Sequence, residues 1–294
     1  MPQLTLDQLN SADSASFAAA LGDVFEHSPW VAERAAEARP FTDVQALLTA
    51  MVQAVRTADP AQLLALLRAH PDLAGKAERA GTLTRDSSAE QASAGLDQLS
   101  AAEYESFQGF NANYRTRFDI PFIVCVRRHT KDSILRQFAR RLDNEKPTEI
   151  ATALEEVFRI AALRLDQRIA DANLGLNGRL STHVLDTHAG RPAQGLWLAL
   201  RELSDHDEPR LIARVCTNQD GRTDAPLIAG RPVPIGRYEL LFAVGDYYGE
   251  QGVPLADPPF LDVVPVRFAV AEAEGHYHVP LLMTPWSYST YRGS

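Results

Sequence analysis

Proline and glycine divide this 294-residue chain in two. Residues 1–172 contain 7 of the 18 prolines and 5 of the 17 glycines, whereas the 122 residues that follow contain 11 and 12. Proline removes a backbone N–H and clashes with the preceding turn, and glycine has the most backbone freedom to lose, so both oppose helix interiors. Long helices are therefore expected in the first part. Apolar residues recur there with helical spacing, as in Pro60–Ala69 (PAQLLALLRA), where Asp59 is an N-cap and Pro60 takes the first helical position. A second helix runs from Pro147 to Asp171, with Thr148 or Asp143 near its start and Val157, Ile160, Ala161 and Arg164 on one stripe. The second part reads as strands. Arg237–Val244 and Val263–Val270 are short β-type runs, and turns such as Asn218-Gln219-Asp220-Gly221 and Ala256-Asp257-Pro258-Pro259 separate such runs. No internal repeat is present. The expected organisation is multidomain: an all-α helical bundle over residues 1–172, a short Gly/Asn-rich linker over 173–179, and an all-β sandwich over 180–294.

Charge narrows the partners. The chain carries 29 Lys+Arg against 38 Asp+Glu, split 19 against 24 up to Ala172 and 10 against 14 beyond it, so neither part is basic. Nucleic acid and anionic membrane surfaces are not expected partners. Cys125 and Cys216 lie far apart, which offers no disulfide framework and fits a reducing compartment. The opening Met1-Pro2-Gln3-Leu4-Thr5 lacks the basic flank and apolar run of a signal peptide, and Arg292-Gly293-Ser294 is not a peroxisomal address, so a cytoplasmic location is expected.

The chemistry of the second part centres on three histidines and the tail. In Leu180–Asp186, Leu180, Thr182, Val184 and Asp186 alternate against Ser181, His183 and Leu185. Farther on, His276, His278, Pro280 and Leu282 share one strand face, with Tyr277, Val279 and Leu281 on the other. The last nine residues hold one tryptophan and two tyrosines, Trp286, Tyr288 and Tyr291, and such rings imply a docked tail. Solvent-facing histidines are one reading. A zinc site of His183, His276 and His278 is another, but no carboxylate or cysteine at ligand spacing completes it, and no metal is expected.

Three motifs carry a resemblance. Ser181-Thr182-His183-Val184-Leu185-Asp186-Thr187 with Gly190-Arg191-Pro192-Ala193 is similar to the opening of the transthyretin-like family, and Thr217–Arg222 and Tyr291-Arg292-Gly293-Ser294 resemble its enzymatic branch, the 5-hydroxyisourate hydrolases. The resemblance implies a transthyretin-like sandwich that assembles as a homotetramer with sites at subunit interfaces. It implies catalytic roles for His183, Arg222, His278 and Ser294, with Tyr291 and Arg292 at the substrate; His276 is expected beside the site, orienting His278. A histidine can take a proton from water near neutral pH, and the arginine fork can hold an oxyanion.

In the first part His70 follows a helix end, where the dipole favours a protonated ring. Ser87, Glu90 and Gln91 lie within about one helical turn, and Ser87 with Glu90 reads as an N-capping box. Arg164, on a core-facing stripe, needs an anion, either a core carboxylate or a ligand's. Ser28-Pro29-Trp30-Val31, His70-Pro71-Asp72-Leu73-Ala74, Glu90–Leu96, Phe107 with Asn111 and Tyr114, and Phe118–Cys125 together resemble the 2-oxo-4-hydroxy-4-carboxy-5-ureidoimidazoline (OHCU) decarboxylases. That resemblance implies a helical bundle, no cofactor, catalytic His70 and Glu90, and substrate-binding Ser87, Gln91 and Arg164. The substrate ring itself would accept the electrons that carbon dioxide leaves behind. Together the two resemblances imply hydrolysis of 5-hydroxyisourate to OHCU and its stereospecific decarboxylation to (S)-allantoin. The rival expectations are a carrier role for the β part, or one active domain joined to a scaffold.

Overall fold

The computed structural model describes residues 3–75, 83–205 and 208–293. It forms two compact units, Met1–Arg127 with Ser133–Leu176, and Arg128–Asp132 with Asn177–Ser294.

The described helices of the first part are α1 (Leu6–Ser11), α2 (Ser14–Leu21), α3 (Trp30–Ala35), α4 (Val44–Arg56), α5 (Pro60–Arg68), α6 (Arg85–Ser93), α7 (Ala101–Phe118), α8 (Lys131–Leu142) and α9 (Lys146–Arg168). Side-chain caps set most of the starts. Thr5 and Ser100 form capping boxes with Gln8 and Glu103, and Asp13, Asp43 and Asp59 each accept from the third residue of their helix. Each such cap contributes about 1 kcal/mol. Two helix starts differ from expectation. The long helix α9 starts at Lys146, and Glu145 at its N-cap makes no side-chain bond, so neither Thr148 nor Asp143 caps it. The N-cap of α6 is Thr84, whose hydroxyl accepts from the Ser87 amide, so Ser87 is the third helical residue and makes no capping box with Glu90. That register frees the Ser87 hydroxyl for tertiary contacts.

The core of this part includes Leu47, Met51 and Val55 of α4, Phe107 and Tyr114 of α7, and Val157, Ala161 and Leu165 of α9. Through it runs a non-helical segment. After α7 closes on Asp119 with a φ of 63°, Ile120–Val126 is buried along its whole length. Extended backbone in a core needs partners for its polar groups. Charged side chains supply two: Arg141 Nη1 donates to the Ile123 carbonyl (2.7 Å), and Glu156 Oε2 accepts from the Cys125 amide (2.8 Å). Arg141 is itself neutralised by buried Glu149 (2.5 Å).

The second part has strands β1 (Gly178–Ser181), β2 (Val184–Asp186), β3 (Arg191–Pro192), β4 (Trp197–Leu203), β5 (Arg210–Cys216), β6 (Ile228–Arg231), β7 (Gly236–Ala243), β8 (Val263–Val270), β9 (His276–His278), β10 (Leu281–Met283) and β11 (Tyr288–Thr290). One four-stranded sheet has the order β5-β4-β7-β8; β6-β1-β9 and β11-β10-β2-β3 form the others. Leu180, Val184, Leu281 and Met283 pack with Leu198, Leu240, Phe242 and Val264 in one core, which makes this unit a sandwich. The expected strand over 180–186 keeps its alternation, with even positions buried and odd ones partly open, but breaks after Ser181. There the chain leaves β9, to which β1 is parallel, and joins β10, to which β2 is parallel. One helix, α10 (Val244–Glu250), was not foreseen; its two glycines conceal it in the sequence. It places Tyr247 and Tyr248 hydroxyls on the buried Asp186 carboxylate (3.1 and 2.8 Å).

The tail pairs as β11 against β10, Leu281 opposite Thr290 and Met283 opposite Tyr288. Its rings are not buried within the chain: Trp286 is 58 %, Tyr288 45 % and Tyr291 58 % exposed. A three-residue edge strand secures the backbone of the tail and leaves its side chains uncovered.

Candidate active sites

In the helical unit a cavity is lined by His70, Ser87, Glu90, Gln91 and Arg164, with an apolar wall from Leu73, Phe122, Ile123, Val124, Val126 and Ile160. All five site residues expected from the sequence of this part thus meet in one place. Four of these wall residues, Phe122, Ile123, Val124 and Val126, come from the buried segment after α7, and Ile160 comes from α9. The turn after α5 is pinned by three amides: Gln91 Oε1 accepts from the Ala74 amide (2.8 Å), Gln108 donates to the Ala74 carbonyl (2.9 Å) and Asn111 to the Leu73 carbonyl (2.8 Å). Ala74 sits at a φ of 50°, and His27 on the other flank at 48°. Non-glycine residues held there store strain of about 1 kcal/mol or more, as functional sites often do.

His70 is buried, and its Nδ1 lies 3.0 Å from the Leu66 carbonyl. With Nδ1–H donating, Nε2 carries the lone pair. Burial pulls the ring's pKa down to about 4, against the lift from the Leu66 carbonyl and from Glu26. The helix-end argument for a protonated His70 therefore fails, because desolvation of the cation outweighs the dipole.

Arg164 differs from a free anion anchor. Its Nε and Nη2 donate to the two oxygens of Glu90 (2.8 and 2.9 Å), and Nη1 donates to Glu26 Oε2 (2.9 Å). The Asp23 carbonyl (3.2 Å) and the Ser87 hydroxyl (3.3 Å) take the rest. Every guanidinium N–H thus has a protein acceptor, and the anions a buried arginine requires are supplied internally. Glu26 was not foreseen. It is 2 % exposed and also accepts from Thr84 Oγ1 (2.7 Å) and Ser87 Oγ (3.0 Å). Burial raises its pKa, but Arg164 and Thr84 outweigh that and hold it below the usual carboxylate range. The sequence carried one cue, a carboxylate two residues ahead of Ser28-Pro29-Trp30 and beside an apolar pair, Val24-Phe25.

In the β unit His183, Arg222 and His278 converge. The break after Ser181 turns His183 into a β-bridge with Arg222. The loop that carries Arg222 closes through Asn218, whose side chain accepts from the Asp220 and Arg222 amides (3.0 and 3.2 Å). Gly221 permits its φ of +68°, and a Cβ there would meet the Val184 carbonyl at 2.3 Å. Both histidine pKa values are lowered, first by burial and then by Arg222. His183 Nε2 is buried with no hydrogen-bond partner among the described residues.

His278 is oriented by Ser181, whose Oγ lies 3.0 Å from its Nδ1. The parallel register that sets Ser181 beside His278 sets His276 beside Arg179, so His276 is not the orienting partner. Ser181 shares the open strand face with His183, the cue that would have found it. The tail meets the site through Gly293, whose amide donates to the His278 carbonyl (2.9 Å); a Cβ on it would come within 2.6 Å of the His278 ring. Arg292 lies over the Tyr277 ring (5.2 Å), Tyr291 is exposed, and Ser294 lies outside the described residues. Among the described residues no group of three His, Cys, Asp or Glu is placed to hold a metal ion, and no helix is long and apolar enough to cross a membrane.

Comparisons with known proteins follow this division. Residues 10–166 match the OHCU decarboxylase family and residues 180–293 the HIUase/Transthyretin family. The chain is 49 % identical over 170 residues to the 2-oxo-4-hydroxy-4-carboxy-5-ureidoimidazoline decarboxylase of Haloferax volcanii, covering 58 % of this chain and 99 % of that one. It is 56 % identical over 118 residues to 5-hydroxyisourate hydrolase 2 of Rhizobium meliloti, covering 40 % of this chain and 98 % of that one. A crystal structure of (S)-allantoin synthase aligns over 99 % of this chain and 100 % of its own, at 36 % identity and a TM-score of 0.53. The chain therefore belongs to the OHCU decarboxylase family through its helical part and to the HIUase/Transthyretin family through its β part.

Proposed function

We propose that this chain is a bifunctional enzyme of urate degradation, in which the β part hydrolyses 5-hydroxyisourate to OHCU and the helical part decarboxylates OHCU to (S)-allantoin. The observation that carries this reading is the joining of both families in one chain, each matched over nearly the whole length of its relatives, with (S)-allantoin synthase similar from end to end.

In the β part, an uncharged His183 or His278 takes a proton from the attacking water, and Arg222 holds the oxyanion that forms at the carbonyl. Ser181 fixes the His278 ring so that Nε2 faces the reacting groups. Ser294, Tyr291 and Arg292 complete the substrate contacts. The exposed tail aromatics support assembly through this part, as a homotetramer whose contacts cover them.

In the helical part, the C–C bond to the carboxylate breaks, carbon dioxide leaves, and the electron pair passes into the adjoining ring imine. A proton delivered to one face of that carbon then sets the product's hand. Neutral His70 accepts and returns a proton through Nε2, Gln91 and Ser87 bind the ring and ureido groups, and Arg164 aims Glu90 at the reacting carbon. The apolar wall strips water from the departing carboxylate, which favours neutral carbon dioxide.

The test feeds freshly made 5-hydroxyisourate to purified protein and follows ultraviolet absorbance together with circular dichroism. Rapid loss of the substrate band is expected, followed by a dichroic allantoin signal. His70→Ala abolishes the second phase alone, and His278→Ala slows the first. Decay no faster than in buffer would sink the proposal and favour a carrier role for the β part.

A further inference from the structure

The helical part has a second cavity that the reaction does not use. It is lined by Asp86, Ala89, Glu90, Ser93, Arg127 and Gln167, and Glu90 is common to it and to the reaction cavity. The reaction cavity measures about 30 Å³ and the second one about 170 Å³.

Its charges are not balanced. Asp86 is taken by Arg168 Nη2, which also has Asp23 as a partner through Nη1, and Glu90 is held on both oxygens by Arg164. Arg127, half-buried in the same lining, makes no hydrogen bond or ion pair with any described residue. A guanidinium that lines a cavity while the nearby carboxylates are engaged elsewhere has its fork available to a ligand anion.

The chemistry of decarboxylation says where such a cation belongs. A carboxylate becomes neutral carbon dioxide at the transition state, so a cation bound to it at the reacting position stabilises the ground state and slows the step. The reaction cavity agrees: two carboxylates share its one guanidinium, and apart from uncharged His70, Ser87 and Gln91 the rest of its lining is apolar. Attraction for the substrate's charge is useful earlier, during capture.

We propose that Arg127 and this second cavity form the capture site for the carboxylate of the decarboxylase substrate, which passes from there across Glu90 into the reaction cavity. This rests on the decarboxylase reading above. Arg127 acts on binding alone, so it governs KM and the salt dependence of kcat/KM, and not the chemical step.

The experiment uses the full chain with OHCU, generated in place from 5-hydroxyisourate by an excess of a separate hydrolase, and follows allantoin by circular dichroism. Arg127→Gln is expected to raise KM about tenfold, the effect of one lost hydrogen-bonded charge, with kcat nearly unchanged. Arg127→Lys recovers part of the loss. Added potassium chloride lowers kcat/KM of the wild type and has little effect on Arg127→Gln. An unchanged KM in Arg127→Gln, or a fall in kcat alone, overturns the capture site while leaving the decarboxylase reading intact. A wild type that leaves OHCU to its spontaneous decay overturns both.

Discussion

His70 is uncharged at neutral pH because the cost of burying its cation exceeds every nearby stabilising influence. Its pKa of about 4 against the ordinary 6.5 has a consequence for stability. Between those values the unfolded chain binds a proton that the folded chain does not, so stability is greatest above pH 6.5 and falls as pH drops toward 4. The loss reaches up to about 3 kcal/mol for this group. Glu26, held below its ordinary value, extends the acid loss farther down. Urea unfolding of the helical part between pH 7 and 4 is expected to show this slope, and His70→Asn to flatten it; an equal slope in the variant would remove His70 as the cause. His70, Ser87, Glu90, Gln91 and Arg164 were all legible as residues. Their pairings were not, because a buried arginine requires an anion without specifying which. Glu26 supplies it from 138 positions away.

At the scale of elements, the hydrolase site depends on strands that change partner. β1 runs beside β9 and β2 beside β10, and the break between them turns His183 away from the strand pattern toward the Arg222 loop. The alternation of Leu180–Asp186 was visible in the sequence, since it reflects burial on one side. The break was not, since period-two alternation is the same whichever strand lies alongside. Gly293 is the tail's contribution. Gly293→Ala places a methyl group 2.6 Å from His278 Cδ2, so the ring must shift. A loss of hydrolase kcat of at least tenfold is expected, consistent with the sensitivity of general-base catalysis to position, with decarboxylase activity preserved. Equal hydrolase rates in variant and wild type would show that the tail does not set the ring.

At the scale of the whole molecule, each unit has its own core and its own site, and the two sites handle consecutive compounds. Under the proposed assembly, the exposed tail rings are where the β part meets its partner subunits. Trp286→Ala is expected to weaken assembly, seen by sedimentation, and to reduce hydrolysis while sparing decarboxylation. Unchanged sedimentation would place the interface elsewhere. The two-part division and the family of each part were readable from the sequence, because proline and glycine placement, helical or strand periodicity, and short motifs are local properties of the chain. Four features needed the fold. They are the saturation of Arg164 by Glu26 and Glu90, the orientation of His278 by Ser181, the fork of Arg127 that no described residue pairs, and the neutral state of His70. Each depends on which distant groups share a desolvated space, and the strength of a charge or hydrogen bond is set by that space rather than by neighbours in the chain.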